Sequence, residues 1–284
     1  MPTQNNKKAL IDLVITFANR FDMLKVCLDA IYREAQTHPL SITIIDDFSP
    51  AEERLSNEEL FHYDEEKDPA HNIVSYKVKR HQATEGFPRS ANEGAREGKA
   101  PIVMFISDDV ELHEGALDKV IRRLDDLTIG IVGIKLLFPP SSTSPIRPAG
   151  KVQHVGLALN IRGEPIHPLV GWNPDNFRCK ISRDVWAVTG ACLTIRRNLF
   201  NQVGGFDLDY GRGTFEDCSL AMNVRKLGKR IFLDAEAQAY HYVGATMEKK
   251  QEAFPLQNNL MIFRSKWMNS GQLIWDEYRF WSGE

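Results

Sequence analysis

The 284-residue chain lacks the features that mark several classes of protein. No uncharged apolar run approaches the roughly 18 residues that a membrane-spanning helix needs. The first residues also lack the apolar stretch of a secretory signal peptide. The cysteines form no C-x-x-C pair, which indicates reduced thiols rather than a metal or redox site. We therefore expect a cytoplasmic protein in which most cysteines are packing residues: Cys27, Cys179, Cys192 and Cys218.

An excess of charge of one sign is also missing. Lys and Arg total 35 against 38 Asp and Glu, which gives a net charge of −3. The overall field therefore gives no reason to expect binding to nucleic acid or to a membrane, and any phosphate binding must be local. With 43% hydrophobic and 26% charged residues and no internal repeat, the chain is typical of a globular protein. Its length suits one large α/β domain or two small ones.

The most informative stretch is PIVMFISDDVE, at residues 101–111. The apolar residues 102–106 run into Ser107 and the adjacent carboxylates of Asp108 and Asp109. So short an uncharged run predicts a strand buried on both faces, as in a parallel sheet. Ligands of open α/β sheets bind beyond the carboxyl ends of such strands. Because neighbouring carboxylates repel each other, the pair indicates either a divalent-cation site or an Asp-rich turn.

The first 50 residues predict a strand, a helix and a second strand. The strands cover residues 10–16 and 41–45, and the helix between them carries apolar residues at helical spacing. A right-handed βαβ unit brings the ends of its two strands together, here Thr16 and the pair Asp46–Asp47. These carboxylates can accept hydrogen bonds from a nucleotide base, or they can cap the turn that follows them.

Two later segments carry candidate contacts. Residues 86–94 predict the start of a helix with a proline in its first turn, where Arg89 can meet a phosphate or a base, or lie in solvent. In a predicted loop, His167 is either a substrate contact or an exposed histidine. Trp172 and Trp186 can each face a sugar ring or pack. Further predicted strands cover residues 73–78, 129–138, 152–159, 187–195, 231–234 and 238–243, and a further helix covers residues 114–127.

A second carboxylate pair opens a helix towards the C-terminus. Glu216 and Asp217 follow a tight turn with two glycines and precede an apolar helical pattern that ends at Gly228. The helix dipole favours carboxylates at this position, either as caps or as a means of holding an ionised base still. His241 follows in the last predicted strand. The tail around Trp267 predicts a helix packed on the domain, with an oligomer or membrane-surface contact as the alternatives.

In this order and spacing the segments resemble family 2 glycosyltransferases of the GT-A fold, most of all rhamnosyltransferase-type and O-antigen or cell-surface polysaccharide members. The resemblance covers residues from about 10 to about 267 and implies a mostly parallel, Rossmann-like central sheet flanked by helices. It also implies a glycosyltransferase domain over residues 1–250, with a nucleotide-binding half at about 8–110 and an acceptor half at about 111–250. A packed helical extension would cover residues 251–284. The segments that carry the resemblance are VITFANR, IIDDFS, EGFPRSANEGA, FISDDV, VQHVGLAL, AVTGACLTIRR, VGGFD, FEDCSLAMNVRKLG and HYVGAT.

The resemblance further implies roles for particular residues. Asp109 matches the metal-binding end of the family's D-x-D-like motif, and His241, in an H-x-x-G-x-T pattern, matches a second ligand to Mn²⁺ or Mg²⁺. Asp217 matches the catalytic base of an E-D motif, with Glu216 beside it. The implied donor-binding residues are Thr16, Ala18, Asp46 and Asp47 around the base, Arg89 and Asn92 near the base, ribose or diphosphate, Asp108 near the ribose or the metal ligand, and Gly190 and Ala191 beneath the sugar.

Two positions depart from the family pattern. Ser107 stands where many members have Asp or Asn, which weakens the expectation of strict metal dependence. Ser219 stands where a further Asp often occurs, so the acceptor contacts are expected to differ.

The resemblance implies an inverting, metal-dependent transfer of a sugar from a nucleotide-diphosphate sugar to an acceptor hydroxyl. UDP is favoured and dTDP is next, while GDP stays open. The acceptor (polysaccharide, lipid-linked sugar, protein or modified nucleobase) and a homo-oligomeric state also stay open. One alternative, a sugar-phosphate nucleotidyltransferase, would need a glycine-rich N-terminal loop, which VITFANR is not. The other, a non-catalytic nucleotide-sugar-binding protein, would be expected to lose Asp109, Asp217 or His241.

Overall fold

The computed structural model describes residues 7–49, 61–243 and 255–272. The apolar runs of the sequence form strands there, because β-branched and aromatic residues suit a sheet that is covered on both faces. The strands are β1 (Ile11–Phe17), β2 (Leu40–Asp46), β3 (Ile73–Arg80), β4 (Ile102–Ser107), β5 (Val110–Leu112), β6 (Ile129–Leu137), β7 (Val152–His154), β8 (Ala158–Leu159), β9 (Pro165–Ile166), β10 (Arg183–Asp184), β11 (Cys192–Arg196) and β12 (Arg230–His241).

The helices are mostly short and amphipathic. The second one has Pro88 in its first turn, as predicted, because proline lacks only an N–H that would be unpaired there. Within the described ranges no helix combines the length and apolar character needed to cross a membrane. The helices are α1 (Phe21–Glu34), α2 (Phe87–Glu97), α3 (Ala116–Arg123), α4 (Phe177–Lys180), α5 (Arg197–Gln202), α6 (Glu216–Lys226) and α7 (Leu256–Phe263), with a π-helical turn at Arg264–Met268.

The main sheet aligns the carboxyl ends of its parallel strands. Its order is β10-β12-β6-β11-β4-β1-β2-β3, and β5 and β7 pair with β12 and β6. Strands β4, β1, β2 and β3 are parallel neighbours, and β12 is parallel to β6. Strand β11 lies between these two groups and is antiparallel to both β4 and β6. Strands β1, β2, β3, β4, β6 and β12 therefore end at one edge of a mostly parallel sheet, which confirms the predicted fold class.

The core consists of two apolar layers, one on each face of the sheet. Alternate residues of the central strands supply them: Leu13 and Met104 lie in one layer, and Val14 and Phe105 lie in the other. All four side chains are fully buried. Helices α1 and α3 cover the first layer, and α2 and α6 cover the second.

Two predicted boundaries are corrected. Residues 231–234 and 238–241 belong to one strand, β12, because a bulge absorbs the intervening residues without ending the ladder, and the predicted residues 242 and 243 lie beyond its end. Residues 152–159 are divided between β7 and β8, which pair with different strands. The strongly charged segment at residues 51–70 is expected from its sequence to form a surface helix and loop, and its residues 51–60 lie outside the described residues.

The C-terminal helical segment packs against the layer that α6 covers. Phe263 in α7 is fully buried, and its ring lies 6.0 Å from that of Trp186. The indole N–H of Trp267 donates a hydrogen bond of 3.1 Å to the hydroxyl of Ser219. Trp186 and Ser219 are therefore core residues that anchor this segment. The proposed division of the chain at residue 250 stays a prediction.

Asn92 fixes the turn with two glycines to the buried side of α2. Its Nδ2 donates to the carbonyl of Phe206 at 2.8 Å, and its Oδ1 accepts from the N–H of Phe206 at 2.8 Å. Gly205 has a φ of +79°, and a Cβ at this position would lie 2.5 Å from the Oδ1 of Asn92. Only glycine therefore suits both the backbone conformation and the close approach.

We expect Asn92→Ala to lower the free energy of unfolding by about 2 to 4 kcal/mol, because two buried backbone groups lose their partner. Arg89→Ala is the matched control in the same helix, since the side chain of Arg89 is 54% exposed and its ion pair with Glu85 lies at the surface. We expect the control to change stability by about 0.5 kcal/mol or less. Urea unfolding would measure the stability of both variants. Equal losses of stability would contradict the role of Asn92 in holding the turn.

Candidate active site

The candidate residues gather at the edge of the sheet where the parallel strands end. Asp46 ends β2, Asp108 and Asp109 follow β4, and His241 ends β12. Strand β11 runs in the opposite direction, so that Gly190 just before it lies at the same edge. The sheet topology thus brings together residues that are far apart in sequence.

Asp109 and His241 are in direct contact. Strand β12 pairs with β5 in antiparallel register, with His241 opposite Val110, and the N–H of Tyr242 donates to the carbonyl of Asp109 at 2.9 Å. The two side chains meet at 3.1 Å, between the Nε2 of His241 and the Oδ1 of Asp109. The backbone pairing therefore fixes the relative positions of the two predicted metal ligands.

The pair fits a divalent cation. The Nδ1 of His241 lies 3.0 Å from the Oε1 of Gln153, so the imidazole donates there and keeps its Nε2 lone pair for a metal. Adjacent ligand atoms on an octahedral Mg²⁺ or Mn²⁺ ion lie about 3 Å apart, close to the observed spacing. Among residues 7–49, 61–243 and 255–272, no three His, Cys, Asp or Glu side chains are grouped to hold an ion. Further ligands would have to come from water or a substrate.

The two adjacent carboxylates after β4 have different charge states. Burial and the charge of Asp109 raise the pKa of Asp108 well above its usual value. Burial acts in the same direction on Asp109, but the neighbouring His241 and Arg20 hold its pKa below the usual value. Asp109 is therefore the ionised member of the pair. Arg20, in the loop after β1, is a cation of this site that the sequence analysis did not single out.

Asp217 is connected to the same edge of the sheet through the residues before β11. Its Oδ2 accepts from the N–H of Gly190 at 2.9 Å, and its Oδ1 accepts from the N–H of Cys218 at 2.7 Å. The carbonyl of Ala191, the next residue, accepts from the N–H of Ser107 at 2.9 Å. A Cβ on Gly190 would lie 3.3 Å from two ring carbons of Phe87 and in ordinary contact with the Cβ of Asp217, at 3.6 Å, so that a larger side chain would have to displace the Phe87 ring. The segment 190–191 thus joins Asp217 to the loop that carries Asp109.

Glu216 is buried beside Asp217 and stays protonated at neutral pH. Its side chain is 7% exposed, and its Oε2 has no hydrogen-bond partner within the described part of the chain. Burial, together with the charge of Asp217, raises the pKa of Glu216 to about 8. The E-D pair therefore combines a neutral acid with a carboxylate that two backbone amides hold.

The predicted base-pocket carboxylates already have partners within the protein. Asp46 is fully buried and accepts from the backbone and hydroxyl of Ser49 at 2.8 and 2.6 Å and from Arg80 at 2.6 Å. Asp47 accepts from the backbone N–H groups of Glu85 and Gly86 at 2.7 and 2.9 Å. Asp46 thus has the turn-capping arrangement that the sequence left open. A role for either side chain in base binding stays a prediction.

The remaining donor-binding candidates divide by location. Thr16 lies between β2 and β4 at the carboxyl edge, and the backbone of Ala18 hydrogen-bonds to Asp108 and lowers its pKa. Arg89 makes a surface ion pair of 2.8 Å with Glu85. Both polar atoms of Asn92 hydrogen-bond to the backbone of Phe206, and its role near the donor stays a prediction.

Sequence reasoning missed the partners of the histidines. Gln153 sits on a three-residue strand with no motif of its own, and only the fold brings it to His241. His167 is exposed, as the simpler interpretation predicted, but it also pairs with the buried His154. Gly244 and Thr246 of the H-x-x-G-x-T pattern lie outside the described residues.

A comparison of the sequence with protein families decides the classification. The model of glycosyl transferase family 2 matches residues 12–204, more than half of the chain. The chain belongs to glycosyl transferase family 2. The O-antigen biosynthesis protein RfbC of Myxococcus xanthus is 22% identical over 251 residues, which are 86% of this chain and 18% of that protein. The family 2 chain thus spans less than a fifth of the length of this relative.

Solved structures share the fold of this family 2 chain. The crystal structure of GalNAc-T7 with UDP, GalNAc and Mn²⁺ has a TM-score of 0.63 at 19% identity, over 84% of this chain and 44% of that one. The mannosyltransferase PcManGT of Pyrobaculum calidifontis, in complex with GDP-Man and Mn²⁺, has a TM-score of 0.57 at 15% identity, over 84% and 59% of the two chains. These likenesses confirm the GT-A fold that the sequence predicted.

We expect the free energy of unfolding to fall as the pH rises from about 5 to about 8. In this range an unfolded Glu216 loses its proton, while the folded state keeps it because the pKa is raised from 4.5 to about 8. Glu216→Gln should remove this part of the pH dependence. Glu236→Gln, which changes an exposed carboxylate on β12, is the control. Urea midpoints at both pH values would measure the effect, and an unchanged slope in Glu216→Gln would contradict a buried neutral acid.

Proposed function

We propose that the chain transfers a sugar from a nucleotide-diphosphate sugar to an acceptor hydroxyl, with inversion at the anomeric carbon and with the help of a divalent cation. The observations that carry this proposal are the contact between Asp109 and His241 and the hydrogen bond that holds Asp217 to Gly190, at the same edge of the sheet. A cation-binding pair and a separate fixed carboxylate are the two elements that such a displacement needs.

Asp109 and His241 would hold Mg²⁺ or Mn²⁺ against the diphosphate of the donor. When bound, the cation would neutralise the negative charge that the diphosphate gains as it leaves. The fit rests on the spacing of the two ligand atoms and on Gln153, which orients the imidazole of His241. GalNAc-T7 and PcManGT were both crystallised with Mn²⁺.

Asp217 would act as the general base. Hydrogen bonds from the N–H groups of Gly190 and Cys218, and its place in the first turn of α6, stabilise the ionised carboxylate. The same hydrogen bonds orient the carboxylate towards the cleft that the segment 190–191 lines. An acceptor hydroxyl bound there would give its proton to Asp217 as its oxygen attacks the anomeric carbon.

The nucleotide would lie along the loops after β1 and β2, where Thr16, Ala18, Asp46 and Asp47 surround the strand ends. UDP remains the favoured nucleotide, followed by dTDP. GalNAc-T7 was solved with UDP, whereas PcManGT was solved with GDP-Man, so GDP also belongs in any donor screen. The relative named as an O-antigen biosynthesis protein favours a saccharide acceptor.

The two alternative functions have less support. The family match speaks against a sugar-phosphate nucleotidyltransferase. A non-catalytic binding protein would not need Asp109, His241 and Asp217 to be kept in one cleft, and all three are present.

We expect Asp217→Asn to lower the transfer rate by about a hundredfold or more, because removal of a general base costs about 10²–10⁴ in rate. Donor binding should be nearly unchanged, since the amide keeps the size of the side chain. Asp209→Asn is the control, because Asp209 is 68% exposed in the loop before α6 and pairs with Lys266. Nucleotide release and calorimetry with UDP-sugars would measure both steps, and an equal loss of binding and transfer would refute the base assignment.

We expect chelation of divalent cations to weaken UDP binding, since the diphosphate would lose its counter-charge. Asp109→Asn should weaken UDP binding in Mn²⁺ by about tenfold or more, as removal of support for a metal ligand does. Asp175→Asn, in an exposed loop before α4, is the control. Calorimetric titration with UDP, with and without Mn²⁺, would show this. Equal affinity under both conditions would contradict a metal-assisted donor site.

A further inference from the structure

A histidine pair, His154 and His167, lies beside the proposed catalytic residues and has no role in the mechanism above. The Nδ1 atoms of the two rings are 3.1 Å apart. His154 is 1% exposed in β7, whereas His167, just after β9, is exposed. A hydrogen bond between like atoms of two histidines requires one ring to donate and the other to accept.

The backbone decides which ring donates. The Nε2 of His154 faces the N–H groups of Gly156 at 3.3 Å and Thr189 at 3.4 Å, so it can only accept. Neutral His154 therefore carries its proton on Nδ1 and donates it to the Nδ1 of His167. His167 in turn must carry its own proton on Nε2, which can then donate to a ligand.

On the β7 side, the backbone of two adjacent residues connects the histidine pair to the proposed metal site. Gln153 accepts from His241, and the following residue, His154, holds His167. Adjacent residues of one short strand thus orient the metal-ligand histidine and the second histidine of the pair.

Before β11, the histidine pair is joined to the proposed base. The N–H of Thr189 points to His154, and the N–H of the next residue, Gly190, donates to Asp217. Two consecutive backbone amides therefore act on the two groups. The amide of Thr189 sets the tautomer of His154, and the amide of Gly190 holds the carboxylate of Asp217, which would take the proton.

The burial and the charges around the histidine pair favour the neutral form of both rings. Burial lowers the pKa of His154 well below its usual value, and His167, His241 and Arg183 act in the same direction. Desolvation by the surrounding protein lowers the pKa of His167. The charges of Asp217 and His241 act on the pKa of His167 in opposite directions, because the charge of Asp217 raises this pKa and the charge of His241 lowers it.

We propose that His167, oriented by His154, donates a hydrogen bond from Nε2–H to the oxygen of the attacking hydroxyl while Asp217 takes that hydroxyl's proton. This inference rests on the proposed transferase function. The O–H bond breaks and its proton goes to Asp217, and the oxygen bonds to the anomeric carbon. The bond from that carbon to the diphosphate breaks, and its electron pair leaves with the diphosphate. His167 keeps its proton throughout and serves to position the nucleophile.

Hydrolysis of UDP-sugars tests this contact, with water as the attacking hydroxyl. We expect His167→Ala to lower kcat by about tenfold, the scale of one lost hydrogen bond, with KM for the donor within about twofold of wild type. His167→Gln keeps an N–H donor and should recover part of the rate. His38→Gln, which changes a histidine before β2 at the opposite edge of the sheet, is the control. A loss that appears in KM alone, or no loss at all, would overturn the proposal.

The pH profile separates positioning from proton transfer. We expect His167→Ala to lower the rate by the same factor across the profile, because a ring that keeps its proton on Nε2 adds no ionisation of its own. A profile whose acidic limb vanishes with His167 would overturn the proposal, because His167 would then be a base.

Nitrogen NMR of the histidine rings tests the inference independently of catalysis. Near neutral pH we expect the Nδ1–H tautomer for His154 and the Nε2–H tautomer for His167, assigned with His154→Phe and His167→Gln. The reverse tautomer of His167 would overturn the proposal whatever the activity. If the tautomers are as expected but the protein hydrolyses no nucleotide sugar, this result would count against the proposed function instead.

Discussion

The pairing of β12 with β6 on one side and with β5 on the other is the constraint on which the site depends. Its register with β5 sets His241 opposite Val110 and brings its ring to Asp109. Its parallel register with β6 makes it end at the same edge as β4. Because β11 lies between β6 and β4 in the opposite direction, the residues before it cross this edge and hold Asp217. Three side chains from distant parts of the sequence therefore owe their proximity to backbone pairing.

The sequence predicted the sheet and the position of its polar edge well. The apolar run before Asp108 has no polar residue that could face solvent, so it could only form a strand buried on both faces. The carboxylates after it, like Asp46 and Glu216, had to lie at strand or helix ends because they interrupt these apolar patterns. Such periodicity reports burial and element ends. It does not report which neighbour a buried polar group will find.

The contacts of the site were harder to predict for that reason. Asn92 follows a helix start in a glycine-rich motif, yet its amide serves the backbone of Phe206. Gln153 and His154 sit on a strand of three residues whose partners are set by the fold. Arg20 gave no signal beyond its place after a strand, although its charge acts on both carboxylates after β4. Side-chain partners depend on tertiary contacts that a single sequence does not encode locally.

Family membership and fold together narrow the function, while the site residues determine how the chain would work. The central claim is that Asp109 and His241 bind one cation beside the diphosphate of a donor, within the cleft that Asp217 faces. A crystal structure with UDP and Mn²⁺, with the metal located by its anomalous scattering, tests this claim most directly. The account predicts a manganese peak about 2.1 Å from an oxygen of Asp109 and from the Nε2 of His241, with the diphosphate as a further ligand. Manganese and UDP bound elsewhere, with the contact of 3.1 Å between Asp109 and His241 intact, would contradict it.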